Sequence, residues 1–189
     1  MRHFIVPAVL LTAVVSCILR AAEPAKPDPG PRDGFVVSKM RVQEFKGTSY
    51  FFTTTQTTIA QMSPVVTKMM QDLGAAVGEH SVHVMGAPVF VYKGATGEMD
   101  KPFTLEVGFP VDSATKPVGE FKVRELEPMR CATVLFSGPM AQIGQAYQQV
   151  FPELFAAGLQ PSGESREMHV YWEGLESPNN MVLIQIGLK

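Results

Sequence analysis

The sequence contains an internal repeat with a period of about 80 residues, and this repeat limits the possible folds more than any other feature. Two segments agree in the order of their elements and in their apolar pattern, although few residues are identical. A period of this length is too long for a solenoid repeat. We therefore expect a duplicated half-domain. The aligned parts are Val42 with Val123 and residues 59–62 with 140–143 at a shift of 81, and residues 105–109 with 184–188 at a shift of 79.

Each half has the pattern of a β-α-β-β unit. Apolar residues recur at helical spacing from Ile59 to Leu73 and from Met140 to Leu154, and Pro64 and Pro152 are expected to bend or shorten these helices. The pattern predicts an α+β fold of duplicated β-α-β-β half-domains, with a mainly antiparallel sheet, two main helices and a cleft between the halves. Predicted strands cover 36–45, 47–55, 88–93, 103–109, 121–126, 129–136, 166–173 and 181–188.

The N-terminal sequence is typical of an exported protein. Residues 1–22 combine a short basic start with an apolar run, which predicts a signal peptide, and residues 23–34 form a Pro/Gly-rich linker. The folded domain is expected over 35–189, with repeat halves at about 36–111 and 118–189. We expect a periplasmic or extracellular location. The alternative is a lipoprotein, because Val14-Val15-Ser16-Cys17 resembles a lipobox, in which a lipidated Cys17 would tether the domain to a membrane.

Composition argues against several classes of function. The chain carries 16 Lys and Arg against 18 Asp and Glu without a basic run, which argues against nucleic-acid binding. Two cysteines cannot form a disulfide framework, and Cys131 is expected to be a buried thiol in an apolar strand. No metal site is predicted, because His80 and His83 lack a third ligand. No phosphate loop or nucleophile elbow occurs.

The strand at 166–173 holds the densest group of candidate site residues. Strict alternation puts His169 on one face with Glu167, Tyr171 and Glu173, and puts Trp172 on the other face. An imidazole beside a carboxylate suits acid–base chemistry or pH-dependent binding. Because acidic residues are usually exposed, we expect Glu167 and Glu173 to be solvated.

Other candidates come from the first half and from aromatic residues. Glu106 lies within the apolar stretch 103–109, where it either faces the cleft or has a structural role. Tyr92 and Tyr171 are expected at equivalent places in the repeat, and each offers a flat apolar ring with a polar tip. Trp172 could stack on a flat ligand or pack in the core.

Five short motifs, together with the duplicated order of elements, carry a resemblance to a known family. They lie at residues 86–92, 105–111, 123–128, 136–139 and 169–171. On these motifs, residues 36–188 resemble the GyrI-like, or AraC-type effector-binding, domain, a relative of the SOUL haem-binding proteins. The resemblance implies small, often amphipathic or cationic ligands held between the halves, and some relatives are hydrolases. We expect no cofactor; haem bound through His169 is the alternative that the SOUL relatives imply, although the sequence has no c-type attachment motif.

The chain departs from this family at three points. It shows no helix-turn-helix segment, Phe136 stands where many relatives have histidine, and His169 stands where many carry a ligand-binding glutamate. The main hypothesis is an exported, non-enzymatic small-molecule-binding protein without a DNA-binding domain. The alternatives are a hydrolase that uses Glu106 or His169, and an interaction module whose cleft is filled by its own side chains. The expected ligand-binding residues are Tyr92, Glu106, Phe136, His169, Tyr171 and Trp172.

Overall fold

A computed structural model describes residues 34–189, which form an antiparallel β-sheet with two α-helices. The α+β class is therefore confirmed. The predicted signal peptide, most of the linker and Cys17 lie outside the described residues. The elements are β1 (Val36–Val37), β2 (Arg41–Phe45), β3 (Thr48–Thr57), α1 (Met62–Glu79), β4 (Val89–Lys93), β5 (Phe103–Pro110), β6 (Lys122–Leu126), β7 (Met129–Ser137), α2 (Ile143–Ala156), β8 (Pro161–Tyr171) and β9 (Met181–Leu188).

The two halves repeat the same element order. The order β2-β3-α1-β4-β5 recurs as β6-β7-α2-β8-β9, and the helices begin at Met62 and Ile143, which are 81 residues apart. Neither helix ends at its proline. Pro64 lies in the first turn of α1, where a backbone N–H has no helical partner to lose, and α2 continues past Pro152.

Each half contributes one strand to the part of the sheet formed by the other half. The strand order is β1-β7-β9-β8-β4-β5-β3-β6, and β2 also pairs with β7. Thus β2 of the first half extends the second half, and β6 of the second half pairs with β3 of the first. At the centre, β4 and β8 pair antiparallel, with Phe90 opposite Glu167 and Val91 opposite Arg166. The halves therefore share one continuous sheet.

Both helices pack on the same face of this sheet, each over its own half. Leu73 of α1 packs in one apolar cluster with Phe90, Tyr92 and Leu105, while Leu154 of α2 packs in a second cluster with sheet residues of its own half. The central strands β4 and β8 lie where these two clusters meet. We call the helix-side surface of β4 and β8 the seam. It corresponds to the cleft predicted between the halves.

The opposite face of the sheet carries a third apolar cluster. Its members include Tyr50, Val89, Val91 and Met168. Because this face is also covered, polar residues on either side of the central strands are buried. No helix within residues 34–189 is both long enough and apolar enough to cross a membrane.

Candidate functional site

A buried glutamate stands at the centre of the seam. Glu167 lies midway along β8 opposite Phe90, and it is only 4% exposed. Its carboxylate accepts a hydrogen bond from the Tyr92 hydroxyl of β4 at 2.8 Å and another from the Tyr147 hydroxyl of α2 at 2.8 Å. One carboxylate thus joins the first half, the second half and a helix.

The two hydroxyls that bind Glu167 remain protonated donors. Burial, followed by the negative charge of Glu167, raises the pKa of Tyr92 well above its usual value, and the same causes in the same order raise the pKa of Tyr147. The hydrogen bonds therefore satisfy the carboxylate without neutralising its charge.

His169 lies beside Glu167 on the same face of β8. It is 7% exposed, its ring centroid is 4.2 Å from that of Phe90, and its Nε2 atom is 3.6 Å from Oε2 of Glu167. That separation is too long for a hydrogen bond, and Nε2 is buried without any hydrogen-bond partner in the described residues. Among those residues, His169 is also the one basic side chain within ion-pair range of Glu167.

Glu106 lies on the other face of the sheet, away from the seam, which favours the structural alternative for this residue over the one in which it faces the cleft. It stands opposite Val91, the neighbour of Phe90, and successive residues of a strand face opposite sides. Its carboxylate is paired with the ammonium of Lys93 at 2.7 Å and with the guanidinium of Arg124. Glu106 and His169 therefore cannot act together.

The contacts of Glu106 explain its titration. Burial by itself would raise the pKa of this carboxyl, but hydrogen bonds and charge attraction from Arg124 and Lys93 outweigh burial and lower it. Of the two buried glutamates near β4, one is thus neutralised by cationic side chains and the other, Glu167, is held by neutral hydroxyls.

A β-bulge changes which aromatic residue reaches the seam. The pairing of β8 with β9 shifts register between His169 and Tyr171, so the strict alternation predicted for this strand fails there. Trp172, which is 50% exposed, packs edge-on to His169 at 6.3 Å between ring centroids. Tyr171 is 48% exposed and donates its hydroxyl to Glu173. Tyr92 is buried, so the two tyrosines do not occupy equivalent places.

Phe136, the remaining predicted ligand contact, belongs to a core. It is fully buried in the cluster under α2 and packs against the Phe35 ring at 5.9 Å between centroids. The predicted site is thereby reduced to Tyr92, His169 and Trp172. Phe90, Tyr147 and Glu167 are added to it.

The expectation that Glu167 is solvated is wrong. It rested on the usual exposure of acidic residues and on a strand predicted to begin at residue 166, whereas β8 begins at Pro161. Glu167 is therefore in mid-strand between β4 and β9, where both neighbours bury it. Tyr147 lies within the predicted second helix, between Met140 and Leu154, but the partner of its hydroxyl depends on the tertiary fold.

Two surface pockets lie outside the seam. One of about 320 Å³ is lined by the C-terminal part of α1 and by residues 118–121, and one of about 310 Å³ adjoins it near His83 and Asp112. Neither contains a residue of the seam. Across residues 34–189, no group of three or more His, Cys, Asp or Glu side chains is placed to hold a metal ion.

Several solved structures share this fold. The crystal structure of the EcmrR C-terminal domain matches with a TM-score of 0.68 at 17% identity, over 80% of this chain and 97% of that one. SAV2435 bound to tetraphenylphosphonium matches with a TM-score of 0.57 at 9% identity, over 80% and 94%. A hydrolase encoded by lin2189 from Listeria innocua matches with a TM-score of 0.52 at 10% identity, over 80% and 92%.

Because all three identities are below 25%, these likenesses establish the fold alone. The sequence matches no profile of a known protein family, and no curated protein matches it.

Proposed function

We propose that this chain is an exported small-molecule-binding protein of the GyrI-like kind, and that its ligand is an organic cation with aromatic groups, bound at the seam. The observation that carries the proposal is the environment of Glu167. This carboxylate is buried, yet no Lys or Arg of the described residues lies within ion-pair range of it. The likeness to a structure with bound tetraphenylphosphonium supports the same ligand class.

A buried negative charge is costly unless a positive charge accompanies it. The hydroxyls of Tyr92 and Tyr147 already fill hydrogen-bonding positions on Glu167. A quaternary cation donates no hydrogen bond, so it can supply the missing charge without competing for those positions. The site chemistry therefore favours a permanent cation over a primary amine.

Aromatic rings around Glu167 provide the rest of the recognition. The Phe90 and His169 rings pack against each other at the seam, with centroids 4.2 Å apart and planes inclined by 43°, and Trp172 packs against His169 from a half-exposed position. Cations are attracted to aromatic faces, with about 0.5–2 kcal/mol per contact depending on desolvation. Because Glu167 is only 4% exposed, a ligand reaches it only if neighbouring side chains move aside.

Isothermal titration of the full chain with tetraphenylphosphonium tests the proposal. We expect binding by the wild-type protein, and a loss of affinity of about 10- to 100-fold in Glu167→Gln, since that substitution keeps the shape and removes the charge. Glu106→Gln is the matched control, because Glu106 is a buried glutamate on the opposite face. It should bind like the wild type. Absence of binding, or equal affinity in Glu167→Gln, would overturn the proposal.

A neutral probe separates charge recognition from simple lipophilicity. Triphenylphosphine oxide carries similar aryl groups without a net charge, and we expect it to bind the wild type more weakly than tetraphenylphosphonium. Its affinity should be unchanged or improved in Glu167→Gln. Haem, which the SOUL resemblance suggested, belongs in the same titration series as a third probe.

The hydrolase alternative relied on Glu106 or on a face shared by His169 and Tyr171. Glu106 lies on the face opposite the seam, and the bulge in β8 separates Tyr171 from His169. The self-filled cleft was expected to be packed with Trp172, Phe136 and Met140. Phe136 belongs to the core under α2 and Trp172 is half-exposed, whereas the buried side chains of Phe90, Tyr92 and His169 fill the seam. Absence of tetraphenylphosphonium binding would favour this alternative.

A further inference from the structure

His169 has an unusual position within the proposed site. Its imidazole is buried between the rings of Phe90 and Trp172, and its Nε2 atom lies 3.6 Å from Oε2 of Glu167, beyond hydrogen-bond distance. Nε2 has no other partner in the described residues. A buried polar atom left unpaired beside a carboxylate needs an explanation, because such atoms are rare in folded proteins.

The groups that face His169 are few. Glu167 comes from the same strand, while Tyr92 of β4 and Tyr147 of α2 surround that carboxylate. Across the pairing with β9, His169 stands opposite the apolar residue Val182. Both tyrosines have a raised pKa and stay neutral. Histidine is the side-chain type that changes charge between pH 5 and 8, so His169 is the group in this set suited to respond to pH.

We propose that His169 is an internal competitor for Glu167, so that the site accepts organic cations only while the imidazole is neutral. This inference rests on the proposed function. Protonated, His169 carries a positive charge 3.6 Å from the carboxylate and occupies the place of the ligand's charge. Neutral, it leaves Glu167 without a cationic partner and offers an aromatic face.

The direction of the pH effect follows from this competition. Below the pH at which the imidazole gains its proton, a ligand cation must either displace that proton or share the carboxylate with it. Affinity for a permanent cation therefore falls as the pH is lowered, by up to about tenfold per pH unit when one proton is released on binding. A neutral ligand has no such competition and keeps its affinity.

The test is titration of the full chain with tetraphenylphosphonium at several values between pH 5.5 and 8. This probe does not titrate, so any change in its affinity comes from the protein. We expect the wild-type dissociation constant to rise at least fivefold from pH 8 to pH 5.5. In His169→Gln, which is polar but cannot take up a proton in this range, the dissociation constant should vary less than twofold.

Two further measurements keep the outcomes distinct. His169→Phe preserves packing against Phe90 and should show the same flat profile, which protects the test if His169→Gln folds poorly. Triphenylphosphine oxide should bind the wild type with no loss on acidification. Binding with a flat wild-type profile, or an equally steep profile in both variants, overturns the role of His169 alone. Absence of tetraphenylphosphonium binding at every pH overturns the proposed function itself.

Discussion

Glu106 and Glu167 show how the partners of a residue decide its role. They lie on the two strands that flank β4, one on each face of the sheet, and each is at most 6% exposed. Glu106 is bound by Lys93 and Arg124, and the Arg124 guanidinium also lies over the Phe52 ring at 5.3 Å. This arrangement makes Glu106 a structural residue. Within residues 34–189, Glu167 receives hydrogen bonds only from hydroxyls, and the proposed function uses its charge to bind a ligand.

At the residue scale, we expect Glu106→Gln to lower the free energy of unfolding at pH 7 by about 1–3 kcal/mol, because it leaves two cationic groups without their carboxylate. The pKa of Glu106 is lower in the folded protein than in the unfolded chain. Its stabilisation is therefore present above the unfolded pKa and disappears as the pH falls through the folded one.

Urea denaturation at pH 7 and at pH 3 measures this difference. The gap in stability between the wild type and Glu106→Gln should shrink at the lower pH. Glu98→Gln is the control, because Glu98 forms an exposed pair with Lys101 and should change stability little. A gap that is equal at both pH values would contradict the ionic role of Glu106.

Cys131 is a second case in which the local environment sets the chemistry. Its side chain is fully buried, as the apolar strand around it predicted. Burial raises the pKa of the Cys131 thiol to about 11, so the reactive thiolate is scarce at neutral pH. Cys131 therefore acts as a small apolar residue of the sheet.

At the element scale, a glycine in a helix and a glycine in a strand have different structural roles in this protein. Gly74 lies on the exposed side of α1, where an added Cβ would meet no atom within 4 Å. Gly108 lies in β5, where a Cβ would overlap the carbonyl oxygen of Phe51 and the side chain of Phe52. The strand glycine therefore allows close approach of β3 to β5, while the helix glycine has no packing role.

Alanine substitution should separate these two roles. Gly74→Ala should raise the free energy of unfolding by about 0.5–1 kcal/mol through helix propensity. Gly108→Ala should lower it by about 1–3 kcal/mol, because the sheet backbone must shift to relieve the overlap. Urea midpoints of the two variants measure both effects. A Gly108→Ala protein as stable as the wild type would show that β3 and β5 tolerate separation at this point.

The predicted elements match the observed ones closely wherever local patterns determine them. The predicted strand at 103–109 corresponds to β5, and that at 181–188 corresponds to β9. Apolar spacing placed both helices correctly because helical periodicity is a local property. The effect of Pro64 depends on where its helix begins, because this proline falls within the first turn of α1, where it costs little.

At the scale of the whole molecule, strand exchange ties the halves together. Because β2 pairs with β7 and β6 pairs with β3, neither half can complete its own part of the sheet. The central pairing of β4 with β8 then creates the seam on which the proposed site depends. Stability and the proposed ligand binding therefore both depend on the joined domain.

Fragment complementation tests this dependence. We expect fragments 34–116 and 117–189, expressed separately, to lack cooperative thermal unfolding, because each exposes the apolar surface that its partner covers. Mixed in equal amounts, they should regain native circular dichroism and tetraphenylphosphonium binding. A fragment that unfolds cooperatively by itself would show that the exchanged strand is dispensable.

The sequence by itself determined the duplication and the order of strands and helices along the chain, and it predicted the cleft between the halves where we propose the site. These features follow from periodicity and repetition, which can be recognised in the sequence without knowledge of tertiary contacts. Only the tertiary structure decided that Glu167 is buried, that Glu106 faces away and that Trp172 rather than Tyr171 borders His169. Those outcomes depend on the length of β8, on its bulge and on its pairing with β4. Strand pairing brings together residues that are far apart in the sequence, so their contacts cannot be predicted from local patterns.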